Sequence, residues 1–192
     1  LRLRQFWSGA KNIQEKGLTY LIVSYMTWHK QLPIIVALDL ILGNSDRHCG
    51  NLCYDPFTDT FCAIDMDDTF NKDLCSFAGK KISMMLMDDN IIFTKKEIEA
   101  LQAMKNTLIF LVRKHTSKNS IKKLRLLAIK AGFVEGSKIY SVRIERKLRA
   151  YEKMIIESHK SAQKLIKLLD IIVLRKLSIM VDGVEIENNV IA

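Results

Sequence analysis

The order of apolar and polar positions along the chain predicts a strand, a helix and a hairpin in the first third. The run TYLIVSYM at residues 19–26 is rich in β-branched and aromatic side chains, which favours a strand. Pro33 suits a first helical turn and Gly43 a helix end, so the apolar residues between them predict a helix. Residues 51–54 and 60–65 then predict two short strands joined by the turn-rich DPFTD.

The remainder of the chain has a helical pattern. TKKE at Thr94–Glu97 is a capping box, and Phe93 and Ile98 are spaced as its hydrophobic staple. Gly132 is expected to close a basic helix over 121–131, and a long helix is expected over about 142–174. The sequence therefore predicts a mainly α fold with a small β-hairpin. It has no internal repeat or linker, so residues 1–192 are expected to form one domain.

Composition is that of a globular protein and offers no metal or disulfide framework. The 192 residues are 48% apolar and 27% charged, and no apolar run is long enough to span a bilayer. The four cysteines match none of the usual zinc spacings, and nothing in their surroundings requires a disulfide. We therefore expect reduced thiols and a cytoplasmic protein, with a membrane surface as one place where it acts.

The net charge of +9 belongs to the second half of the chain. Residues 1–94 carry 9 basic and 11 acidic side chains, whereas residues 95–170 carry 19 basic and 7 acidic ones. Such a balance favours an acidic partner, either an anionic lipid surface or an acidic protein, unless it is simply the solvated face of amphipathic helices. Nucleic acid is not favoured, because no aromatic residues are interleaved as stacking platforms.

The polar segment between the apolar helix and the end of the hairpin has the parts that phosphoryl transfer needs. That reaction requires a carboxylate to orient the acceptor hydroxyl and oxygen ligands that hold Mg²⁺ against the phosphates. Asp46 lies on the loop, Asn51 follows five residues later, and Asp65 ends the hairpin. Asp and Asn are also common in ordinary turns, but an ordinary turn does not require an Arg-His pair between them.

The sequences GNSDRHCGN and AIDMDDTF resemble the catalytic and metal-binding loops of atypical kinases. This broad group holds the phosphatidylinositol 3- and 4-kinases, the HipA-like bacterial kinases and the Fam20 secretory-pathway kinases. The resemblance covers about residues 17–75 and is most specific in the D-R-H-x-x-N block. Asp67 stands where a glycine often follows the metal aspartate.

The resemblance implies an ATP- and Mg-dependent kinase that acts on a lipid headgroup or a protein hydroxyl. Asp46 would orient the acceptor hydroxyl, and Asn51 and Asp65 would hold Mg²⁺. Arg47 and His48 would brace the loop, and His48 would also touch the transferring phosphate. By the same resemblance, residues 24–26 would belong to a hinge strand.

In that hinge strand, backbone groups of Ser24, Tyr25 and Met26 would meet the adenine of ATP. The sequence has no glycine-rich loop and no strand lysine of the V-A-I-K kind before this run. The resemblance therefore implies a protein-kinase-like C-terminal lobe, and we expect the N-terminal lobe to precede Leu1.

Two alternatives use the same residues differently. AIDMDDTF fits the D-x-D-x-T signature of haloacid-dehalogenase-type phosphatases, with Asp65 phosphorylated, Asp67 as acid/base and Thr69 at the following signature position. That enzyme class needs further alternating strands and helices, with ISMMLMDD as a later strand. The other alternative is a pseudokinase that binds without catalysing transfer.

Overall fold

The computed structural model describes residues 22–67, 69, 74–86, 88, 91–135, 138–139 and 142–182. These residues are mainly helical and include a small antiparallel hairpin, which confirms that part of the predicted fold class. The elements, in chain order, are α1 (Leu32–Leu42), a 3-10 turn (Cys49–Asn51), β1 (Leu52–Asp55), β2 (Thr60–Ala63), α2 (Leu74–Leu86), α3 (Lys95–Lys114), α4 (Ser117–Lys130), β3 (Val134–Glu135), β4 (Lys138–Ile139) and α5 (Val142–Asp182).

The strand predicted over 19–26 is wrong for the part that the structure describes. Residues 22–26 are helical, and residues 19–21 lie outside the described residues. Ile22, Val23 and Met26 are all buried, a spacing of one and four residues that fits one helical face. The local preference of β-branched residues for strands is overridden because this face packs into the helical core.

The apolar helix α1 begins and ends where its proline and glycine predict. Pro33 lies in its first turn, and Gly43 follows its last residue with φ 66°. This left-handed backbone lets the Asn44 N–H donate to the Asp39 carbonyl at 2.9 Å, which is the longer bond of a Schellman motif. The chain therefore leaves α1 abruptly, and the polar loop starts against the last turn of the helix.

Strands β1 and β2 form the predicted hairpin within two residues of the expected bounds. Their register pairs Leu52 with Ala63 and Asp55 with Thr60. The connecting turn is held by Asp55, whose side chain accepts from the Phe57 N–H at 2.9 Å.

In the described part of the chain, four long helices and the helical residues 22–26 enclose the core, and the β1–β2 hairpin lies outside it. α1, α2, α3 and α5 pack on one another, and their buried apolar residues form a single cluster. The predicted capping box of α3 is confirmed: Thr94 accepts from the Glu97 N–H, and Glu97 reaches back to the Thr94 N–H. Phe93 and Ile98, the predicted staple, are both buried.

The last two long helices extend beyond their predicted bounds. α4 begins at Ser117, four residues before the expected start, because Thr116 caps it by accepting from the Asn119 N–H at 3.3 Å. Gly132, with φ 72°, closes this helix as predicted. Helix α5 continues to Asp182. Within the described residues, no helix is long and apolar enough to cross a membrane.

Candidate active site

The site starts at a buried carboxylate in the last turn of α1. Asp39 is 1% exposed, although the surrounding helix is almost wholly apolar. It receives hydrogen bonds from Asn44, Nδ2 to Oδ1 at 3.0 Å, and from the Arg47 guanidinium. Burial raises the pKa of Asp39 above its ordinary value, while the arginine and the amide both act in the opposite direction.

Arg47 connects the loop to α1 through a bidentate ion pair. Its Nε donates to Asp39 Oδ2 at 2.9 Å and its Nη2 to Oδ1 at 3.1 Å. Both side chains are buried, at 5% and 1% exposure. A planar guanidinium matches both oxygens of one carboxylate, which a lysine ammonium cannot do. The sequence-based expectation that Arg47 braces the loop is confirmed.

The same guanidinium joins the two segments that carry the predicted site residues. Arg47 Nη1 donates to the Asn51 carbonyl at 2.6 Å and to the Ile64 carbonyl at 2.7 Å. Across the base of the hairpin, the Ile64 N–H donates to the Asn51 carbonyl at 3.0 Å. Since Asp65 directly follows Ile64, the backbone of Asn51 and that of Asp65 are held next to each other.

Asp46 and Asn51 are linked within the loop. Asn51 Nδ2 donates to the Asp46 carbonyl at 2.9 Å, and the Asp46 N–H donates to Asn44 Oδ1 at 3.1 Å. Asn51 is 5% exposed, so its amide is fixed with the nitrogen toward Asp46. The amide oxygen Oδ1 is then the atom of this side chain that could ligate a cation.

His48 stands beside Asp46 in a defined orientation. Its Nδ1 accepts from the Gly50 N–H at 3.1 Å, so in the neutral ring the proton is on Nε2. Nε2 lies 4.0 Å from Asp46 Oδ2. Asp46 and His48 are both partly exposed, with 23% and 34% of their side-chain surfaces accessible. The two predicted catalytic side chains therefore meet at an accessible edge of the loop.

Asp65 presents an exposed carboxylate with an unusual backbone. Its φ is 54°, a left-handed conformation that non-glycine residues seldom adopt and that Asp tolerates better than most. Within the described part of the chain, the Asp65 side chain makes no hydrogen bond or ion pair. Such a carboxylate is suited to a ligand from outside the protein.

Among the described residues of this site, Asn51 and Asp65 have oxygen atoms that could bind a Mg²⁺ ion together with phosphates. Among the described residues, no group of three or more His, Cys, Asp or Glu is placed to hold a metal ion. Mg²⁺ in nucleotide sites is typically bound by one or two protein oxygens, with phosphates and water completing the octahedron. Asn51 and Asp65 would supply those protein oxygens.

The predicted adenine contact at residues 24–26 loses its basis, since this segment is not a strand. The carbonyls of Ser24 and Tyr25 accept from the N–H groups of the following turn, and Met26 is 1% exposed in the core. Ser24 Oγ donates to Glu97 Oε1 at 2.5 Å, which is a structural contact. Tyr25 is close enough to the loop for the charges of Arg47 and Asp39 to affect its pKa, which burial raises.

Sequence reasoning missed three residues that build the site. Asp39 in α1 and Asn44 in the loop organise the site, and Met66 Sδ lies 3.0 Å from Arg47 Nη2 and 3.7 Å from Asn44 Nδ2. A signal for Asp39 was available: a single carboxylate in an apolar helix needs a buried cationic partner. No comparable signal exists for Met66, because a methionine in a polar loop has no fixed partner type.

One element that the phosphatase alternative expects is different in the described part of the chain. The later strand expected at ISMMLMDD is absent from the described residues, since Ile82 and the residues up to Leu86 belong to α2. Asp67 is exposed, and Thr69 closes a turn by donating its N–H to the Met66 carbonyl at 3.2 Å. Asp68 lies outside the described residues.

Comparisons with known proteins give this site no relative. No protein-family model, no curated protein and no solved structure matches the chain.

Proposed function

We propose that the chain contributes the acceptor and metal loops of an ATP- and Mg-dependent phosphotransferase of the atypical-kinase type. The observation that carries this proposal is the double contact of Arg47 Nη1, which holds the Asn51 and Ile64 carbonyls together. It keeps the loop with Asp46 beside the loop with Asp65. Kinase chemistry is mostly positioning and electrostatics, so a rigid arrangement of these loops is the part that the protein must supply.

In this proposal each site residue has one task. Asp46 accepts a hydrogen bond from the acceptor hydroxyl and takes its proton, and His48 Nε2–H lies on the same side to orient that carboxylate or a phosphate oxygen. Asn51 Oδ1 and the exposed Asp65 carboxylate would hold Mg²⁺, and the bound ion would neutralise charge on the phosphates. An acidic acceptor, a lipid headgroup or a protein hydroxyl, agrees with the basic second half of the chain.

The test uses the full-length protein and measures transfer of phosphate from radiolabelled ATP and binding of Mg-ATP by calorimetry. Asp46→Asn should lose transfer and keep nucleotide affinity, because its carboxylate acts on the acceptor. Asp65→Ala should lose both, because its carboxylate holds the metal. Asp67→Asn is the matched control. Asp67 is an exposed aspartate two residues from Asp65, and the variant should retain both phosphate transfer and Mg-ATP binding.

Unchanged Mg-ATP affinity in Asp65→Ala would reject the assignment of the metal ligand. Loss of phosphomonoester hydrolysis in Asp67→Asn would instead support the phosphatase alternative. Full Mg-ATP binding with no transfer in the wild type, toward either lipid or protein acceptors, would favour the pseudokinase.

A further inference from the structure

The hairpin between the two proposed catalytic loops carries a pair of cysteines directly opposite each other. Cys53 in β1 is the register partner of Cys62 in β2. Both are exposed and reduced in the structure, whereas Cys75 is buried and donates its Sγ–H to the Leu40 carbonyl.

The ladder geometry brings the two backbones within reach of a disulfide. Asn51 and Ile64 lie opposite each other in the same register and are joined by a hydrogen bond. Hydrogen-bonded and non-hydrogen-bonded pairs alternate along an antiparallel ladder, so Cys53 and Cys62, two residues further along each strand, also form a hydrogen-bonded pair. The Cα atoms of such a pair lie about 5.5 Å apart, inside the range of roughly 4.4–6.8 Å that disulfides span.

The side chains need a small adjustment to bond. Opposed Cβ atoms in a sheet are about 4.5–5.5 Å apart, whereas disulfides favour about 3.5–4.5 Å. Cys62 Sγ now lies 3.9 Å from the Ala63 carbonyl and must rotate toward its partner. A bond that pulls two strands together is strained, and strained, exposed disulfides are the readily reduced ones.

The register of the hairpin is fixed from outside, which keeps the two thiols opposite each other. Arg47 holds the base through the Asn51 and Ile64 carbonyls. Gln31 Oε1 accepts from the Phe61 N–H at 2.5 Å beside Cys62. Slippage by one residue would move one thiol to the opposite face of the hairpin. These contacts prevent that slippage and keep the two thiols close together, so the effective concentration of each thiol near the other is high.

We propose that Cys53 and Cys62 form a reversible dithiol–disulfide site that reacts with small-molecule disulfides such as oxidised glutathione. One cysteine thiolate attacks the glutathione disulfide, forming a mixed disulfide and releasing one glutathione thiolate. The second cysteine thiolate then attacks the protein sulfur of that mixed disulfide and releases the other glutathione. Two protein thiols are thereby oxidised, one glutathione disulfide is reduced to two thiols, and the two protons pass to the released thiolates. The inference does not depend on the kinase proposal.

The test oxidises the folded chain with glutathione disulfide, quenches it with acid, alkylates the remaining thiols and maps the peptides. Chymotryptic cleavage after Tyr54 or Phe57 separates the two cysteines, so their peptides stay joined only through a disulfide. We expect the Cys53–Cys62 link to dominate and to revert with reduced glutathione. Cys49→Ser, which removes the third exposed thiol, should leave its yield unchanged, and Cys53→Ser or Cys62→Ser should abolish it.

Oxidation in denaturant supplies the structural control. In an unfolded chain the shorter loop between Cys49 and Cys53 closes more easily than the longer loop between Cys53 and Cys62. The preference should therefore reverse in urea. The proposal is overturned if folded and unfolded chains give the same products, if folded Cys53 pairs mainly with Cys49, or if only mixed disulfides with glutathione form.

Discussion

Arg47 donates to both carboxylate oxygens of Asp39, and the pair is buried where helix α1 meets the polar loop. The relationship connects the core to the site, because Asp39 belongs to a core helix while Arg47 also holds the carbonyls of Asn51 and Ile64. A buried ion pair is weak evidence for stability by itself, but it fixes one geometry. Its loss should disturb both the fold and the site.

Asp39→Asn should destabilise the chain by about 3–5 kcal/mol, because the variant leaves the Arg47 charge buried without its counter-ion. Urea unfolding measures the effect. Arg125→Met is the control: Arg125 makes a comparable 2.6 Å contact with Glu152, but 65% of its side chain is exposed, and exposed pairs contribute only about 0–1 kcal/mol. Equal effects of the two substitutions would show that the Asp39–Arg47 pair does not hold the loop.

Gly50→Ala should displace the His48 ring. A Cβ at residue 50 would lie 3.0 Å from His48 Cε1 and 3.1 Å from Nδ1, the atom that accepts from the Gly50 N–H. The ring must shift by a few tenths of an ångström, so NMR signals of the imidazole should move, and phosphate transfer should fall by less than the roughly 100-fold that a misplacement of about 1 Å costs.

Gly79→Ala is the matched control for this glycine substitution. Gly79 lies inside α2, and among the described residues an added Cβ would meet Leu168 Cδ1 at 3.8 Å, an ordinary contact. The variant should gain about 0.5–1 kcal/mol of stability from the helix preference of alanine and leave the His48 signals unchanged. Shifted His48 signals in this variant would mean that these signals respond to changes elsewhere in the fold and not specifically to displacement of the ring.

The two threonine caps should differ in strength. Thr94 belongs to a capping box in which the buried Glu97 also accepts from Ser24 Oγ, whereas Thr116 makes a single 3.3 Å cap contact at an exposed position. Thr94→Ala should therefore cost about 1–2 kcal/mol and Thr116→Ala about 0.5–1 kcal/mol. Thermal and urea unfolding test the order. A larger loss in Thr116→Ala would contradict a structural role for the Glu97 network.

The sequence predicted those features that local chemistry determines. Gly43 and the Thr94 capping box each specify a helix end through backbone conformation or short-range hydrogen bonds, and both were found as expected. The segment at 22–26 was mispredicted because its conformation depends on burial against distant helices. The sequence pattern singled out Asp46, Asn51 and Asp65. It did not indicate the hydrogen bond from Arg47 to Asp39, because the proximity of these two residues depends on the turn at Gly43.

The end of the hairpin provides a test of electrostatics that is independent of catalysis. The Tyr54 hydroxyl donates to Asp59 Oδ1 at 3.0 Å, and His29 Nε2 lies 3.2 Å from the same oxygen. The Tyr54 hydrogen bond, with a smaller effect of His29, lowers the pKa of Asp59 below its ordinary value. In turn, the carboxylate raises the pKa of Tyr54.

Tyr54→Phe should raise the pKa of Asp59 toward its ordinary value while keeping the ring contacts with Phe61 and His29. Because the folded pKa of Asp59 is lowered, its contribution to stability is present above the unfolded pKa and is lost as pH falls through the folded one. Carboxyl NMR titration of both proteins measures the change. Asp55 is the internal control, since Thr58 and the Phe57 N–H lower its pKa and neither is altered. A shift of equal size at Asp55 and Asp59 would indicate that the substitution loosens the whole hairpin, and no shift at Asp59 would exclude the hydrogen bond from Tyr54 as the cause.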